Sequence, residues 1–599
     1  MATAARKTFQ LILIKPSHYG DDGYPITWWR SLIPSNTLAA LHGIAEDCAR
    51  RQVLGPDVDI VIKPYDEINR RLNTRKMIAE LKASGDRALI CFVGVQSNQF
   101  PRSVDLAQPF LKAGLQVALG GFHVAGCLSM LKEQPPEITA AMAQGIKMFA
   151  GEAEEGRLDQ VLIDAWNGTL KPLYNFIEDL PGLEGAPTPN LPKYEIAYNF
   201  DLRSSFDLGR GCPFQCSFCT IINVQGRKSR FRSPEDLEII VRENAKQGIN
   251  AFFITDDNLA RNRHWEAFFD KLIELRQKEG LGVDLIIQVD TQCHKIPNFI
   301  QKARDAGVSR VFIGLENINP DNLMAAKKRQ NKITDYRVML QKWHQSGAYT
   351  WAGYITGFPA DTKESLLRDI DIIKKELPLD ILEFFFLTPL PGSEDHRTLL
   401  EKGVWMDPDL NKYDLNHHVS HHNKMSDQEW EEAYRACWLS YYSNEHIETV
   451  ARRHGALPNG DPNKAVQFLS EFKAIYLAEK VHPLEGGILR LKFRTDRRPG
   501  LPRELPVLFH LRMAGEFLRM ISIYGWLAFN WWRIARKVKN DPKRLEYSDI
   551  AIAPVSADDY DKLAMFHDTA GGEAAVQKKL GEDRARERVA AAAKAKAAA

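Results

Sequence analysis

The sequence predicts an α/β protein with three parts: an N-terminal doubly wound domain, a central partial barrel of six βα units, and a helical C-terminal region. Three observations predict this fold class. Apolar, strand-like runs alternate with helical patterns over residues 1–170 and resume with a longer repeat over 203–395. Beyond residue 395 only helical periodicity remains. A chain of 599 residues is also too long for one hydrophobic core.

The first predicted domain contains five apolar strands separated by helical stretches such as 74–84. The strands are predicted at 9–15, 58–64, 87–95, 115–121 and 146–152. Continuous apolar strands that alternate with helices are typical of a parallel sheet covered on both faces, so residues 1–170 are expected to form a Rossmann-like domain. Residues 171–202, rich in Pro and Gly, are predicted as a linker.

The second predicted domain, residues 203–395, repeats at roughly the spacing of a βα unit. Its strands are predicted at 204–209, 251–255, 285–290, 310–316, 349–357 and 381–389. The helix predicted at 233–248 opens with a Ser and has acidic residues in its first turn, which is a typical helix start. Six such units predict an incomplete TIM-type barrel, whose reactive groups lie at the carboxyl ends of the strands.

Residues 396–560 are predicted to be helical, and 561–599 to be a low-complexity tail that is frayed or disordered.

The composition excludes several classes of protein. Lys plus Arg (79) nearly equals Asp plus Glu (77), so no basic field points to nucleic acid. The sequence has no signal-peptide pattern and no apolar run long enough to span a bilayer. Scattered thiols such as Cys48, Cys91 and Cys127 are expected to be free and buried, and the protein to be cytoplasmic.

Three cysteines, Cys212, Cys216 and Cys219, lie within eight positions of the stretch "GRGCPFQCSFCT" (209–220). A 4Fe–4S cluster held by three thiolates leaves one iron with an open site, whereas four thiolates saturate it. Phe218 could shield one side of such a cluster. Zinc is the alternative, but no partner pair of ligands follows at finger-like spacing.

The spacing CxxxCxxC in "CPFQCSFC", at the head of a six-unit barrel, resembles the radical S-adenosylmethionine enzymes. Four further stretches resemble that family in the expected order: "ITDDN" (254–258), "FIGLEN" (312–317), "GYITGFPADT" (353–362) and "LTPLPGS" (387–393). The resemblance implies that the three thiolates hold a 4Fe–4S cluster and that its fourth iron chelates S-adenosylmethionine. It also implies cleavage to a 5′-deoxyadenosyl radical, with electrons from a reductant such as flavodoxin or ferredoxin.

The resemblance assigns S-adenosylmethionine binding to seven positions: Phe218, Asp256, Asp257, Asn258, Glu316, Gly353 and Gly357. Structural roles are open for several of them. Asp256 or Asp257 could cap the next helix, Glu316 could be a satisfied carboxylate, and the glycines could serve close packing. The basic run of Arg227, Lys228, Arg230 and Arg232 is expected to be a solvated face or to contact an anionic substrate.

The first domain resembles the cobalamin-binding domain that precedes many radical S-adenosylmethionine enzymes. The resemblance is carried by "IPSNTLAALHGIAE" (33–46), "ALGGFHV" (118–124) and "FAGEAEE" (149–155). It implies cobalamin contacts from Ser97, Gly120, Gly121, His123, Gly151 and Glu152. The DxHxxG loop that ligates cobalt in one variant of the fold is absent from the sequence, which has only His18 and His123 nearby. Cobalamin could bind without a protein His below the cobalt, or the pocket could serve the substrate.

Two C-terminal stretches have unusual composition. Among His417, His418, His421 and His422, the spacing could put His418 with His421 or His422 on one helical face as a metal pair. The preferred interpretation is a segment that closes the barrel mouth, with His417 facing substrate. Residues 505–540 mix Trp and Phe with Arg and Lys. This is typical of an interfacial helix pair lying on a membrane, with a packed helical subdomain as the alternative.

The leading hypothesis is a radical S-adenosylmethionine enzyme that methylates a weakly activated carbon with cobalamin as methyl carrier. One alternative uses the same radical for cyclisation, carbon–carbon coupling or rearrangement of a lipid or tetrapyrrole. An alternative of another class is an iron–sulfur binding or sensing protein. The expected partner is a small-molecule substrate, lipophilic if residues 505–540 contact the inner face of a membrane.

Overall fold

Two six-stranded parallel sheets organise the protein. A computed structural model describes residues 6–84, 87–556 and 558–598. One buried apolar cluster runs from the first sheet into the second, with Phe9, Leu38, Phe206 and Phe252 among its members. The two sheets are therefore parts of one packed body, and the fold class predicted from the sequence is confirmed.

The first sheet is a doubly wound parallel sheet. The strands of this part of the chain are β1 (Lys7–Lys15), β2 (Trp28–Ser31), β3 (Val58–Asp66), β4 (Arg87–Phe92), β5 (Gln116–Gly120), β6 (Lys147–Ala150) and β7 (Leu173–Asn175). All but β2 form the sheet, in the order β3-β1-β4-β5-β6-β7. The order reverses between β1 and β4, the position at which open α/β sheets bind ligands outside the carboxyl ends of their strands.

Helices cover both faces of this sheet. They are α1 (Asn36–Arg50), α2 (Thr74–Ala83), α3 (Phe100–Lys112), α4 (Phe122–Met130), α5 (Pro136–Ala143) and α6 (Arg157–Asn167). All five predicted strands are present. The stretch predicted as a linker contributes the sixth strand, β7, and a short helix, α7 (Lys193–Ile196).

The second sheet is the partial barrel. Its part of the chain contains β8 (Arg203–Phe206), β9 (Gly209–Arg210), β10 (Arg230–Phe231), β11 (Ala251–Ile254), β12 (Asp284–Val289), β13 (Val308–Glu316), β14 (Tyr349–Thr356) and β15 (Ile381–Phe386). Six parallel strands follow one another in the order β8-β11-β12-β13-β14-β15, while β9 and β10 form a small antiparallel pair. Each of the six overlaps a predicted strand.

The barrel helices lie between these strands. They are α8 (Ile221–Val224), α9 (Pro234–Lys246), α10 (Trp265–Glu279), α11 (Phe299–Ala306), α12 (Pro320–Ala325), α13 (Ile333–Ser346) and α14 (Lys363–Glu376). The predicted start of α9 is confirmed, because the Ser233 hydroxyl accepts a hydrogen bond from the Asp236 backbone N–H and the Asp236 carboxylate accepts one from the Ser233 backbone N–H.

The C-terminal region is helical and returns to the first domain. It contains α15 (Glu394–Glu401), α16 (Asp427–Tyr441), α17 (Asn444–Gly455), α18 (Pro462–Ala474), β16 (Gly487–Arg490), α19 (Pro506–Lys539), α20 (Asp559–Lys562), α21 (Ala564–His567) and α22 (Gly572–Ala598). β16 pairs antiparallel with β2 and so ties this region to the first domain. The predicted low-complexity tail carries α22 as far as residue 598, and residue 599 lies outside the described residues.

Residues 505–540 form one long helix, α19, and not the predicted helix pair. The physical reason is that no Pro occurs after the first helical position, Pro506, and the Gly residues inside the stretch do not end the helix. None of the helices in the described residues combines the length and the low polarity that crossing a bilayer requires.

Candidate active site

The three clustered cysteines lie on one loop between β9 and α8. All three are free thiols: Cys216 is buried, and Cys212 and Cys219 are half-buried. Gly211 has a left-handed φ of 88°, and a Cβ there would lie 2.9 Å from the carbonyl oxygen of Gly226. The loop therefore requires glycine at this turn, and its backbone fixes the direction in which the thiols point.

Residues from beyond β13 lie against the cysteine loop. Gln330 Nε2 lies 3.5 Å from Cys216 Sγ, and the Lys328 ammonium lies 5.7 Å from the Phe218 ring centroid. Burial, followed by the charge of Asp257, raises the pKa of the Cys219 thiol to about 12. A cation or a metal is therefore needed to keep this thiol ionised. Lys328 and Gln330 were missed in the sequence because only the fold brings "KKRQ" (327–330) next to the cysteine loop.

The donor set fits a cluster with one open iron. Three free thiols come from one short loop, whose Phe218 and Thr220 line a cavity, and a fourth cysteine does not belong to this loop. Such a set holds a 4Fe–4S cluster and leaves one iron able to bind a further ligand.

The acidic segment at the end of β11 is placed beside the cysteine loop. Asp256 is buried, and its carboxylate accepts hydrogen bonds from the Leu208 backbone (2.6 Å) and from Asn262 (3.1 Å). Burial raises the pKa of Asp256 to about 7. Asn258 exchanges hydrogen bonds with Asp290 at the end of β12, and Asp257 is exposed. Asp256 therefore braces the start of the cysteine loop, and Asp257 is the carboxylate left free for a ligand.

The remaining predicted S-adenosylmethionine positions divide into two groups. Phe218 and Glu316 line the same cavity, and Glu316 forms an ion pair with Lys328. Gly353 and Gly357 instead pack against side chains. A Cβ at Gly353 would lie 2.9 Å from Phe385, and one at Gly357, where φ is 99°, would lie 1.9 Å from Trp430.

A cavity of about 550 Å³ lies where the three parts of the chain meet. We call it the central cavity. The first domain contributes Gln96, Ser97, Asn98 and Phe122; the barrel contributes Phe218, Thr220, Ile221, Phe312, Glu316, Ile355, Phe385, Phe386, Leu387, Thr388, Leu390 and Pro391; and the C-terminal region contributes Tyr413, Asp414, Leu415, Leu484 and Glu485. Its wall is mostly aromatic and aliphatic, with a few polar groups, which is typical of a site for a small molecule.

A second cavity, of about 190 Å³, lies at the carboxyl ends of β1, β4, β5 and β6. We call it the apolar slot. Gly120, Gly121, Gly151 and Glu152, four of the six predicted cobalamin positions, line it. Phe122 lines both the slot and the central cavity, so the two spaces are neighbours. The slot lies at the reversal of strand order, where this type of sheet binds ligands.

The other two predicted cobalamin positions lie apart from the slot. Ser97 lines the central cavity. The His123 side chain is fully buried and lines neither space; its Nδ1 lies 3.1 Å from the Ser97 hydroxyl.

Glu152, at the edge of the slot, connects the first domain to the barrel. Its carboxylate forms ion pairs with Arg210 (2.7 Å) and Arg230 (2.5 Å) of the barrel domain.

The basic run after the cysteine loop is only partly solvated. Arg227 and Lys228 are exposed, as expected. Arg230 and Arg232 are not, which corrects the expectation of a solvated face. Arg230 pairs with Glu152, and Arg232, fully buried, donates to the carbonyl oxygen of Asp207. These two arginines join the barrel to the segments around it, because Arg230 pairs with Glu152 of the first domain and Arg232 also donates to the carbonyl oxygen of Ala186 before the barrel.

The four clustered histidines do not lie on one helical face, because residues 416–423 form a loop. Each histidine has its own partner: His417 pairs with Asp414 and Asp21, His418 with a backbone carbonyl, His421 with Asp427, and His422 with the Phe358 carbonyl. The predicted metal pair on a helix is therefore wrong. The neighbouring residues Tyr413, Asp414 and Leu415 line the central cavity, as expected of a segment at the barrel mouth.

A buried polar group that the sequence did not indicate lies at the wall of the central cavity. Glu485 accepts a hydrogen bond from Asn98 (3.0 Å), and its other oxygen lies 3.5 Å from His18 Nε2. Burial, and then the charge of Asp414, raise the pKa of Glu485 to about 8. Burial lowers the pKa of His18 to about 4. At neutral pH the pair is therefore a neutral carboxylic acid beside a neutral imidazole.

Comparisons with known proteins agree with this geometry. Residues 207–373 match the model of the Radical SAM superfamily. Bacteriochlorophyllide d C-8(2)-methyltransferase of Chlorobaculum tepidum is 28% identical over 349 residues, 55% of this chain and 72% of that protein. Hopanoid C-2 methylase of Rhodopseudomonas palustris is 26% identical over 332 residues, 53% of this chain and 59% of that protein.

Solved structures share the fold. The radical S-adenosylmethionine methyltransferase TsrM of Kitasatospora setae, solved with its tryptophan substrate, matches 66% of this chain and 76% of its own at a TM-score of 0.50 and 15% identity. The cobalamin-dependent S-adenosylmethionine radical enzyme OxsB, solved with aqua-cobalamin, matches 91% and 83% at a TM-score of 0.51 and 14% identity. Residues 207–373, which contain the cysteine loop and most of the six-stranded partial barrel, therefore form a radical SAM-type domain within this chain.

Proposed function

We propose that this protein is a cobalamin-dependent radical S-adenosylmethionine methyltransferase that adds a methyl group to a weakly activated carbon. The observation that carries the proposal is the central cavity, because the first domain, the cysteine loop and the C-terminal region all line it. Two cofactors and a substrate could therefore meet around one cavity. The names of the two curated relatives, a methyltransferase and a methylase, support the same reaction class.

The cysteine loop would hold the cluster through Cys212, Cys216 and Cys219. When bound, the cluster and S-adenosylmethionine supply the radical that removes a hydrogen atom from carbon, given electrons from a small reductant. Lys328 compensates the negative charge of the thiolates and is itself held by Glu316. Phe218, Phe312 and Ile355 exclude water from the cavity wall, which limits quenching of a reactive species.

The first domain would hold cobalamin in the apolar slot and along the adjoining wall of the central cavity. When bound, cobalamin supplies a methyl group that a carbon radical can accept without prior deprotonation. The fit rests on the slot itself: its wall is largely apolar, and Gly120 and Gly121 let the backbone segments around it pack closely. Phe122 would contact the cofactor on the side of the central cavity.

The polar end of the central cavity would orient the substrate. Glu485 stays protonated at neutral pH, so it can donate a hydrogen bond to a carbonyl or hydroxyl oxygen. The Glu485 side chain, 17% exposed, lines the central cavity, where it can make this contact. The aromatic walls nearby would hold the apolar body of the same molecule.

We further propose that α19 lies on a membrane surface and that the substrate is lipophilic. Several of its large apolar side chains are exposed, among them Leu508, Leu511, Leu518, Phe529 and Trp532. Arg536 lies over the ring of Trp532, at 5.3 Å from its centroid. Exposed apolar and aromatic side chains flanked by cations are typical of a helix that lies in the membrane interface.

Anaerobic turnover of a Cys216→Ala variant tests the radical chemistry. The reduced native protein is expected to convert S-adenosylmethionine to 5′-deoxyadenosine, because one iron of its cluster is open. The variant is expected to lose the cluster and to form no more 5′-deoxyadenosine than a protein-free blank. Cys48→Ala, which removes a buried thiol far from the loop in sequence, is the matched control and should keep both. Normal 5′-deoxyadenosine formation by Cys216→Ala would contradict the assignment.

A further inference from the structure

We propose that His123, Cys127 and Glu137 bind one zinc ion in the first domain. His123 and Cys127 lie one turn apart on α4, and Glu137 lies in the first turn of α5. One ligand atom from each residue lies within 4.8 Å of those of the other two. This cluster lies apart from the cysteine loop and lines neither the central cavity nor the apolar slot.

The spacing between donor atoms suits a metal better than a hydrogen bond. His123 Nε2 lies 3.4 Å from Glu137 Oε1. Zinc bonds of about 2.1 Å to nitrogen and oxygen give a tetrahedral edge of about 3.4 Å, whereas an N–H···O hydrogen bond is about 2.9 Å long. The third donor, Cys127 Sγ, completes one face of such a tetrahedron.

The imidazole of His123 has an unused nitrogen aimed at the cluster. Its side chain is fully buried, and Nε2 has no hydrogen-bond partner among the described residues. Leaving a buried polar nitrogen unpaired is costly, so a native protein normally supplies a partner. Its other nitrogen, Nδ1, lies 3.1 Å from the Ser97 hydroxyl, an arrangement that orients metal-binding histidines.

A second histidine is available next to this site. His396 of α15 is buried, and it interacts electrostatically with both His123 and Glu137. Its Nδ1 also has no hydrogen-bond partner among the described residues. The fourth coordination position would be taken by a water molecule, or by His396 after a shift of its side chain, since His396 is not among the residues whose ligand atoms already lie within 4.8 Å of one another.

The donor types indicate zinc. One thiolate, one imidazole and one carboxylate are all common zinc ligands, while calcium and magnesium prefer oxygen donors alone. Zinc bound here would join α4 to α5 close to the barrel, because Gly126 of α4 packs against the Pro391–Gly392 turn after β15. Its role would be to fix the first domain against the barrel, without taking part in the reaction.

The test uses the intact protein with its iron–sulfur cluster. Zinc is added, weakly bound metal is removed with a mild chelator, and the zinc content is measured by mass spectrometry. X-ray absorption at the zinc edge then reports zinc ligands even in the presence of iron. We expect about one zinc per chain, bound by one sulfur and by lighter nitrogen or oxygen atoms.

Two variants identify the ligands. Cys127→Ser should remove sulfur from the zinc spectrum and weaken zinc binding at least about tenfold, since a thiolate ligand is lost. Glu137→Gln, at a partly exposed position, should also weaken binding while leaving the fold intact by circular dichroism. Cys91→Ser removes another buried thiol of the first domain and should leave zinc binding unchanged.

Two results would overturn the proposal. The first is that the native protein retains no zinc after the chelator step. The second is that zinc is retained with its sulfur signal unchanged in Cys127→Ser, because the metal would then sit on other thiols.

Discussion

Glu485 is the single residue whose environment departs furthest from what the sequence suggested. It follows the Pro-Leu pair of the stretch "HPLEGG" (482–487) and carries no motif. The fold places it between His18 and Asn98 at the wall of the central cavity. Burial and the nearby charge of Asp414 raise its pKa to about 8, so the acid is neutral at physiological pH.

This raised pKa predicts a pH dependence of stability. Glu485 binds its proton more tightly in the folded state than at its ordinary value of 4.5, so the unfolded state releases a proton that the folded state keeps. Stability therefore falls as pH rises from about 4.5 to about 8 and then stays lower. Glu485→Gln, which cannot ionise, should reduce this fall when thermal unfolding is followed across that range. An identical pH profile in both proteins would contradict the raised pKa.

Some site residues could be predicted from a local sequence motif, and others could not. Cys212, Cys216 and Cys219 could be predicted because their spacing is local. Lys328 and Gln330 could not, because only the packing of the segment after β13 against the cysteine loop brings them near the thiols. Asp256 shows the same limit: the sequence located it beside the site, but its hydrogen bonds to Leu208 and Asn262 depend on the fold.

The junction between β14 and α16 depends on a single residue, Gly357. Gly357 ends β14 with a φ of 99°, and a Cβ there would lie 1.9 Å from the Trp430 ring. Trp430 is buried and packs on Phe386 and His418, so it links the barrel to the segment over its mouth. The sequence suggested a cofactor contact for this glycine, while its contacts in the fold are with protein.

Gly357→Ala should destabilise the protein by about 3 kcal/mol, since it combines an unfavourable backbone conformation with overpacking against Trp430. Denaturant unfolding followed by tryptophan fluorescence measures the change. Gly282→Ala is the control, because Gly282 has open space around it and no left-handed φ, and it should change stability by less than about 0.5 kcal/mol. Equal stability of the two variants would contradict this account of the junction.

The exposed apolar side chains of the long helix α19 predict that the protein binds to membranes. Leu511 and Leu518 are 65% and 67% exposed. Replacing both with Glu should reduce binding to phosphatidylglycerol-containing vesicles at least about tenfold in a sedimentation assay, because charged groups resist burial in the lipid interface. Leu439→Glu on α16, at a leucine that is 52% exposed, should have no effect. Vesicle binding that is absent in the native protein, or unchanged in the double variant, would contradict the membrane proposal.

Element prediction succeeded where the pattern was long and failed where it was short. The eleven predicted strands follow continuous apolar runs, and each overlaps a strand of the two sheets. The three-residue β7 is too short to carry a pattern and lies in a Pro- and Gly-rich stretch. The histidine segment has helical spacing, yet individual partners such as Asp427 and the Phe358 carbonyl hold it as a loop.

At the scale of the whole molecule, the interface between the first domain and the barrel decides the function. Glu152 pairs with Arg210 and Arg230 across it, and the apolar slot and the central cavity meet at Phe122 on the same side. The sequence predicted each fold separately from its own repeat. It could not predict the two neighbouring cavities, because they exist only where the two sheets and the C-terminal region come together.

The cobalamin content of the protein tests the central proposal most directly. The protein would be purified without oxygen from cells supplied with cobalamin, and its cobalamin and iron would be measured per chain. We expect about one cobalamin per chain together with an intact 4Fe–4S cluster, because the slot is next to the central cavity, which the cysteine loop also lines. An intact cluster with no cobalamin would contradict cobalamin-dependent methyl transfer and would leave the first domain as a holder of the substrate.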